Sequence, residues 1–323
     1  MKLKDLHLLP KVRDSLSYLY VEHCRIDRED KAIALHDASG VRPVPCANLT
    51  TLMIGPGTSI THAAIETLSD NGCLVIWTGE HGVRFYAQGM GETRAARNLL
   101  RQAWLCSHDK LRLRVVRRMY EMRFTETLDV ALTLQQIRGK EGIRVREAYQ
   151  QASRDSGVEW TGRAYRRERW ADADPVNRAL SAANSCLYGI CHAAIVSAGY
   201  SPALGFVHTG KMLSFVYDIA DLYKVEMTVP LAFSVTAELA GVNMESEIRR
   251  RCRDGFHQGK LLQRIVPDID RLLAVADPAT DDVPNFDADD ALPGGLWNPD
   301  LNATMGGVNW GEDTDEGGQS WSL

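Results

Sequence analysis

Over the first quarter of the chain, apolar and polar positions alternate with a period near two, and over most of the rest they recur with a period near 3.6. Val21 to Ile26 and Ala32 to Leu35 read as strands flanking a polar turn. Asp37-Ala38-Ser39-Gly40 reads as a hairpin tip, and Thr51 to Ile54 as a strand ending at Gly55-Pro56-Gly57. Thr58 or Ser59 is placed to cap one helix of about ten residues that stops near Asn71-Gly72. Leu74 to Thr78 and Val83 to Ala87 then form a second hairpin around Gly79-Glu80-His81-Gly82. From Gln88 to Thr93 the period changes, with Thr93 as N-cap, and helices are expected over 94–108, 110–124, 126–154, 176–198, 211–224, 230–240, 244–254 and 258–274. The expected fold class is α+β with two domains. Residues 1–92 form a β-rich N-terminal domain of two small sheets with one short helix, and 93–276 an all-α domain. Residues 277–323 form a disordered acidic tail.

Composition fits this picture: of 323 residues, 45% are hydrophobic and 24% charged, enough apolar material for a sizeable core. No unbroken apolar run reaches the roughly 18 residues needed to span a bilayer, and no signal peptide opens the chain, so a cytoplasmic location is expected. Seven scattered cysteines without a C-x-x-C pair point to buried thiols, not to disulfides or a zinc ribbon. Cys186, Cys191 and His192 do not share one helix face.

The net charge of −5 is unevenly spread. Residues 94–276 carry 28 basic and 20 acidic side chains, a net of +8, whereas the 11 acidic residues after Ala276 have no Lys or Arg among them. A polyanionic partner suits the middle of the chain. The tail is solvated, or it folds onto a partner with Trp297 as anchor, Trp310 and Trp321 following.

Two sets of carboxylates stand in apolar surroundings. Counting i±4 and i±7 from Glu141 reaches Ile137, Val145, Leu134 and Ala148, which places Glu141 on a core-facing stripe. A carboxylate there takes a cation, either a neighbouring Arg or a metal. Gly139 and Gly142 bracket it and imply a close approach to the backbone. Between Tyr200 and Leu222, tyrosines apart, the only ionisable side chains are His208, Lys211, Asp218 and Asp221, the two aspartates three apart on one helix face. Glu141, His208 and one or both aspartates make a hard, oxygen-rich donor set that suits Mg²⁺ or Mn²⁺ rather than zinc.

Three basic runs surround these positions: Arg112, Arg114, Arg117 and Arg118; Arg163, Arg166, Arg167 and Arg169; and Arg249, Arg250, Arg251 and Arg253. The second alternates with Trp160, Tyr165 and Trp170, a mixture suited to single-stranded nucleic acid, with phosphates on Arg and bases on rings.

Gly205-Phe206-Val207-His208-Thr209-Gly210-Lys211, continued by Ser214-Phe215-Val216-Tyr217-Asp218-Ile219-Ala220-Asp221, closely resembles the signature of the universal CRISPR-associated integrase (the Cas one family) in its subtype I-E form. Arg138 to Gly142, Ser185 to Gly189, Gly82-Val83-Arg84 and Pro56-Gly57-Thr58 support the likeness, which spans roughly residues 10–275. The resemblance implies a divalent metal, Mg²⁺ or Mn²⁺, held by Glu141, His208 and Asp221, with Asp218 beside them as a fourth catalytic residue. It implies DNA contacts from Arg84, Lys211, Arg249 and Arg253 and from the aromatics Tyr165, Trp170, Tyr188 and Tyr217. It further implies a homodimer, joined through the N-terminal domain, and a heterohexamer of two such dimers on a central dimer of the second adaptation protein (the Cas two family). The implied activity is that of a metal-dependent DNA endonuclease and integrase, which joins the 3′-hydroxyl of a short DNA fragment to the repeat boundary of the CRISPR array.

Two positions depart from the family pattern. His23 follows Glu22 where relatives place a duplex-splitting tyrosine, so His23 or nearby Tyr20 takes that role, and Ser59 stands where a relative has Arg. Two rival functions remain at this stage: a structure-selective nuclease for branched DNA in repair, and a non-catalytic DNA-binding scaffold whose buried carboxylates are ion pairs. The metal expectation has a clear geometric test. Glu141 more than about a dozen ångströms from His208, or capped by a guanidinium, would sink the expected metal cage.

Overall fold

Short strands, of which Thr51–Ile54 and Leu74–Thr78 are buried on both faces, build two four-stranded sheets in the computed structural model, which describes residues 18–30, 32–46, 49–80, 84–89, 96–163, 174–239 and 243–274, together with short strands at 303–304 and 307–308. One sheet has the order β1 (Tyr18–Val21), β5 (Thr51–Ile54), β7 (Leu74–Thr78), β8 (Phe85–Gly89), with the first three parallel and β8 antiparallel to β7. The other has the order β4 (Gly40–Pro45), β3 (Ala32–Asp37), β2 (Arg25–Glu29), β6 (Ser59–Ile60).

The expected strand over 21–26 is broken. His23 takes a positive φ of 52°, its N–H donates to Pro56 O at 3.0 Å, and the chain crosses from the first sheet into the second. The backbone from Gly55 to Thr58 makes the same crossing alongside, Gly55 N–H donating to Val21 O at 2.7 Å. Ser59 is taken up by the ladder opposite Arg25, so the cap of helix α1 (His62–Asp70) is Thr61, whose side chain accepts from Ala64 N–H at 3.3 Å, and not Thr58 or Ser59.

The rest of the described chain to residue 274 is helical: α2 (Arg97–Ser107), α3 (Asp109–Glu121), α4 (Leu134–Ser156), α5 (Pro175–Ser197), α6 (Ser214–Ala220), α7 (Val229–Leu239), α8 (Met244–Gln258) and α9 (Leu261–Leu273). Helix α4 starts eight residues later than the periodicity implies, at a reciprocal cap in which Thr133 N–H donates to Gln136 Oε1 at 2.8 Å and Gln136 N–H to Thr133 Oγ1 at 3.3 Å. The single helix expected over 211–224 is instead the short α6 followed by a wide turn at Lys224–Thr228. Pro230, at the second position of α7, has no N–H to give to an earlier turn, which favours the change of winding there.

Helix α5 is the central pillar. By length and composition it is apolar enough to cross a membrane, a property hidden from a count of consecutive apolar residues by its Asn, Ser and His positions. Two thirds of its most apolar window is buried inside the fold, where it packs with α6, α7, α8 and α9. Asp174 caps it, accepting from Asn177 N–H at 2.7 Å, with Pro175 at the first position. Its last turns carry Ala193 and Val196 against Met53, Leu74 and Ile76 of the first sheet. Thr51 Oγ1 donates to Ser197 Oγ at 2.8 Å across the same seam, and the rings of Phe85 and His192 stack at 3.6 Å.

All seven cysteines are free thiols, six buried and Cys106 half-buried. Residues 9–283 form one compact unit, and residues 1–8 with 284–323 another. Within the second, Ala303–Thr304 pairs antiparallel with Gly307–Val308, so part of the tail expected to be disordered is a short ladder. Trp297, Trp310 and Trp321, and most of the expected boundary at 88–93, lie outside the described residues.

Candidate active site

Asp218, on α6, has no exposed surface. One of its oxygens accepts the N–H groups of Phe206 (2.6 Å) and Val207 (3.1 Å), and the other accepts His208 N–H (2.9 Å) and His208 Nδ1 (2.7 Å). The 205–208 loop therefore wraps around one carboxylate. Arg112 on α3 donates two bonds to Phe206 O (3.2 and 3.0 Å). Gln102 on α2 donates to Ser201 O and Leu204 O and accepts from Ser201 N–H at 2.7 Å. Gly205 is required here: a Cβ would lie 2.2 Å from His208 O and 2.7 Å from Ser214 Cβ.

With Nδ1 engaged by Asp218, the neutral imidazole carries its proton there and its lone pair on Nε2. That same bond, against a smaller opposing effect of burial, raises the His208 pKa above its usual value.

From His208 a chain of contacts crosses four elements. Its ring meets Tyr217 (5.8 Å), which meets Tyr188 on α5 edge-on (5.0 Å), and Lys224 Nζ stands 5.0 Å from the Tyr188 ring centre. Lys224 donates to Asp221 at 2.5 Å, and Arg123, two residues beyond α3, lies between Asp221 (3.8 Å) and Glu141 (3.4 Å). Burial is the largest single effect on the Lys224 pKa and lowers it, but the charge of Asp221, the Tyr188 ring oxygen and the hydrogen bonds to both together outweigh it, and the net shift is upward. Glu141, on α4, is buried, and both its oxygens are taken by Arg144 one turn on, Nε at 2.7 Å and Nη2 at 3.0 Å. Arg123 Nε and Nη2 are buried without a hydrogen-bond partner.

Glu141, His208, Asp218 and Asp221 thus belong to one connected site, but a ready-made cage is absent. Among the described residues no three of His, Cys, Asp and Glu are grouped to hold an ion, and Glu141 carries the guanidinium cap that speaks against one. Buried carboxylates require cations, and Arg123, Arg144 and Lys224 supply them. The open space around Gly139 and Gly142, where a Cβ would meet nothing within 4 Å, also removes the expected close approach to the backbone.

Several residues of the basic runs make hydrogen bonds or ion pairs within the chain. Arg112 binds Phe206 O, Arg117 binds Leu132 O and Glu121, and Arg118 binds Arg271 O. Arg163 reaches Asn177 and Ser181, while Arg250, Arg251 and Arg253 pair with Glu247, Glu238 and Asp254. Arg249 is half-buried on α8, and Lys211 and Arg84 are exposed, the latter one residue before β8 and beside Gly79. Tyr165 and Trp170 lie outside the described residues. Arg123, Arg144 and Lys224 escaped the sequence reading, although two of them follow their carboxylates by three positions, the helical spacing of a pair.

The family model of the CRISPR associated protein Cas1 matches residues 17–152 and 120–239. The chain belongs to the Cas1 family. The matched Cas1 span contains every member of the contact chain from Arg123 to Lys224. The CRISPR-associated endonuclease Cas1 2 of Thermus thermophilus is 50% identical over 316 residues, 98% of this chain and 97% of that protein. The CRISPR-associated endonuclease Cas1 of Escherichia coli K12 is 42% identical over 267 residues, 82% and 87% of the two chains. Among solved structures, a TtCas1–DNA complex superposes with a TM-score of 0.77 at 54% identity, covering 83% of this chain and all of that one. A casposase bound to its integration product shares the Cas1 fold at 13% identity, with a TM-score of 0.56 over 80% of this chain and 95% of that one.

Proposed function

We propose that this Cas1 protein is a metal-dependent DNA endonuclease and integrase of CRISPR adaptation, of subtype I-E, which joins the 3′-hydroxyl of a short prespacer to the repeat boundary of the array. The observation that carries the reading is the convergence of Glu141, Asp221, His208, Tyr188, Tyr217 and Lys224, from separate elements, into one contact chain. The endonuclease names of its relatives and the DNA in the TtCas1 complex support it.

The donor chemistry fits a divalent ion. Two carboxylates and an imidazole whose other nitrogen is held by a buried carboxylate make a hard set with its supporting bond in place. Arg123, enclosed but with buried N–H groups that find no hydrogen-bond partner, is an incompletely satisfied counter-ion between those carboxylates. Glu141, Asp221 and Nε2 of His208 would hold Mg²⁺ or Mn²⁺, which supplies charge stabilisation at phosphate oxygens and a lowered pKa for the attacking hydroxyl. Asp218 orients the imidazole and fixes its tautomer. Lys224 adds positive charge where a phosphate would gain negative charge, and Tyr188 with Tyr217 gives a flat surface against which a terminal nucleotide rests. Lys211, Arg84, Arg249 and Arg253 engage phosphates farther out, with Tyr165 and Trp170 at the single-stranded end.

In this reading residues 1–92 form the dimerisation domain and 93–276 the catalytic domain of a cytoplasmic protein. Two homodimers flank a central dimer of the second adaptation protein, and the 277–323 tail helps them dock. The three cations on the carboxylates favour one second reading, a DNA-binding scaffold without catalysis. The deciding experiment incubates the protein, with and without the second adaptation protein, with a 3′-overhang duplex and a supercoiled repeat-bearing plasmid in Mg²⁺ or Mn²⁺. Fragment joining at the repeat boundary is expected; DNA binding with neither joining nor cleavage overturns the enzymatic reading.

A further inference from the structure

We propose that Arg144 competes with the divalent ion for Glu141 and thereby sets how readily the site takes its metal; this rests on the metal-binding reading above. A carboxylate held by a forked guanidinium must break two charge-assisted hydrogen bonds before it can give a lone pair to an ion, and Arg144 makes both, one to each oxygen of Glu141.

The two arginines at Glu141 differ in their freedom to leave. The Arg123 side chain is 5% exposed, enclosed near the Tyr120 ring, with its guanidinium between two carboxylates. Arg144 is 26% exposed and lies against the Phe124 ring at 5.7 Å, so a change of rotamer carries its head group into solvent without moving α4. When it does so, Arg123 still faces Glu141, and the buried carboxylate keeps a counter-charge throughout. Arg144 is therefore the removable stopper and Arg123 the fixed bridge.

The test is calorimetric titration of the full-length protein with Mn²⁺ alone, without DNA, on the wild type, Arg144→Gln, Arg144→Lys, Arg146→Gln and Glu141→Gln. Arg146 is exposed two residues along the same helix, and its variant changes net charge equally. Arg144→Gln should bind Mn²⁺ about fivefold more tightly or better, the worth of a part-exposed ion pair. Arg146→Gln should stay within about twofold of wild type, the residual expected of a screened surface charge. Glu141→Gln should bind more weakly.

If Arg144→Gln fails to fold by circular dichroism, Arg144→Lys decides in its place. It keeps the aliphatic stem but loses the fork, and should show a smaller gain in the same direction. Unchanged or weaker binding on losing the Arg144 fork, with Mn²⁺ still bound by the wild type, overturns the competition and leaves the metal reading standing. An equal gain in Arg146→Gln also overturns it, since net charge then explains the effect. No uptake of Mn²⁺ by wild type or variant sinks both.

Discussion

His208 Nδ1 lies 2.7 Å from a carboxylate oxygen of Asp218 that has no exposure to solvent, and the same carboxylate accepts three consecutive backbone N–H groups. Asp218 is thus the internal anchor of the loop that presents the imidazole, a positioning residue more than a ligand. Asp218→Asn would turn an amide NH₂ toward donors that need an acceptor, at a cost of roughly 2–4 kcal/mol. Urea unfolding should register that loss. In NMR titration the His208 pKa should fall from its raised position toward the ordinary imidazole value, since the bond to Asp218 is the main cause of the shift. An unmoved His208 titration would show that Asp218 is not its anchor.

Replacing the chemical groups themselves has a different signature. Glu141→Ala, His208→Ala and Asp221→Ala should each lower strand joining by about a hundredfold or more with Mg²⁺ or Mn²⁺, the scale of losing a group that acts in the transition state. DNA affinity in a gel-shift assay should change little. Wild-type-like joining by all three variants would remove the catalytic assignment.

At Gly205 the limit is steric. A methyl group there would meet His208 O at 2.2 Å, and the His208 N–H is held by Asp218 of α6, so Gly205→Ala must displace the loop. A stability loss of about 2 kcal/mol or more is expected, with activity lost below the melting temperature. A variant as stable and as active as the wild type would contradict the rigid loop described above.

The seam between the first sheet and α5 makes the fold sensitive to acid. His192 stacks on Phe85 at 3.6 Å, and burial depresses its pKa from 6.5 to about 4. The unfolded chain binds a proton that the folded chain refuses, so this contribution to stability is complete above about pH 6.5 and is lost as the pH falls toward 4. Denaturant unfolding should show stability declining across that window, and His192→Phe should flatten that part of the profile. An equal decline in the variant would assign it to other groups.

Much of the architecture is legible in the order of side chains. The change from period two to period 3.6 separates the sheets from the helices, and seven of the eight helices expected after residue 93 have a single counterpart near their expected places. Boundaries failed where a local bond outcompeted periodicity, as at the Thr133–Gln136 cap and at the crossing by His23. The isolated ionisable residues from His208 to Asp221, and Glu141 on its apolar stripe, single out a candidate cluster from sequence alone, because a charge in apolar company always needs an explanation.

What the sequence could not decide is which partner each charge takes. Arg112, Arg117 and Arg118 look like a basic face yet hold carbonyl oxygens, while Arg123, unremarkable in the chain, stands between two carboxylates from different helices. Sequence determines which side chains must be buried or charged, because burial follows periodicity and that is local. Pairing depends on distances of a few ångströms between groups far apart along the chain, and only the packing of the helices around α5 sets those distances.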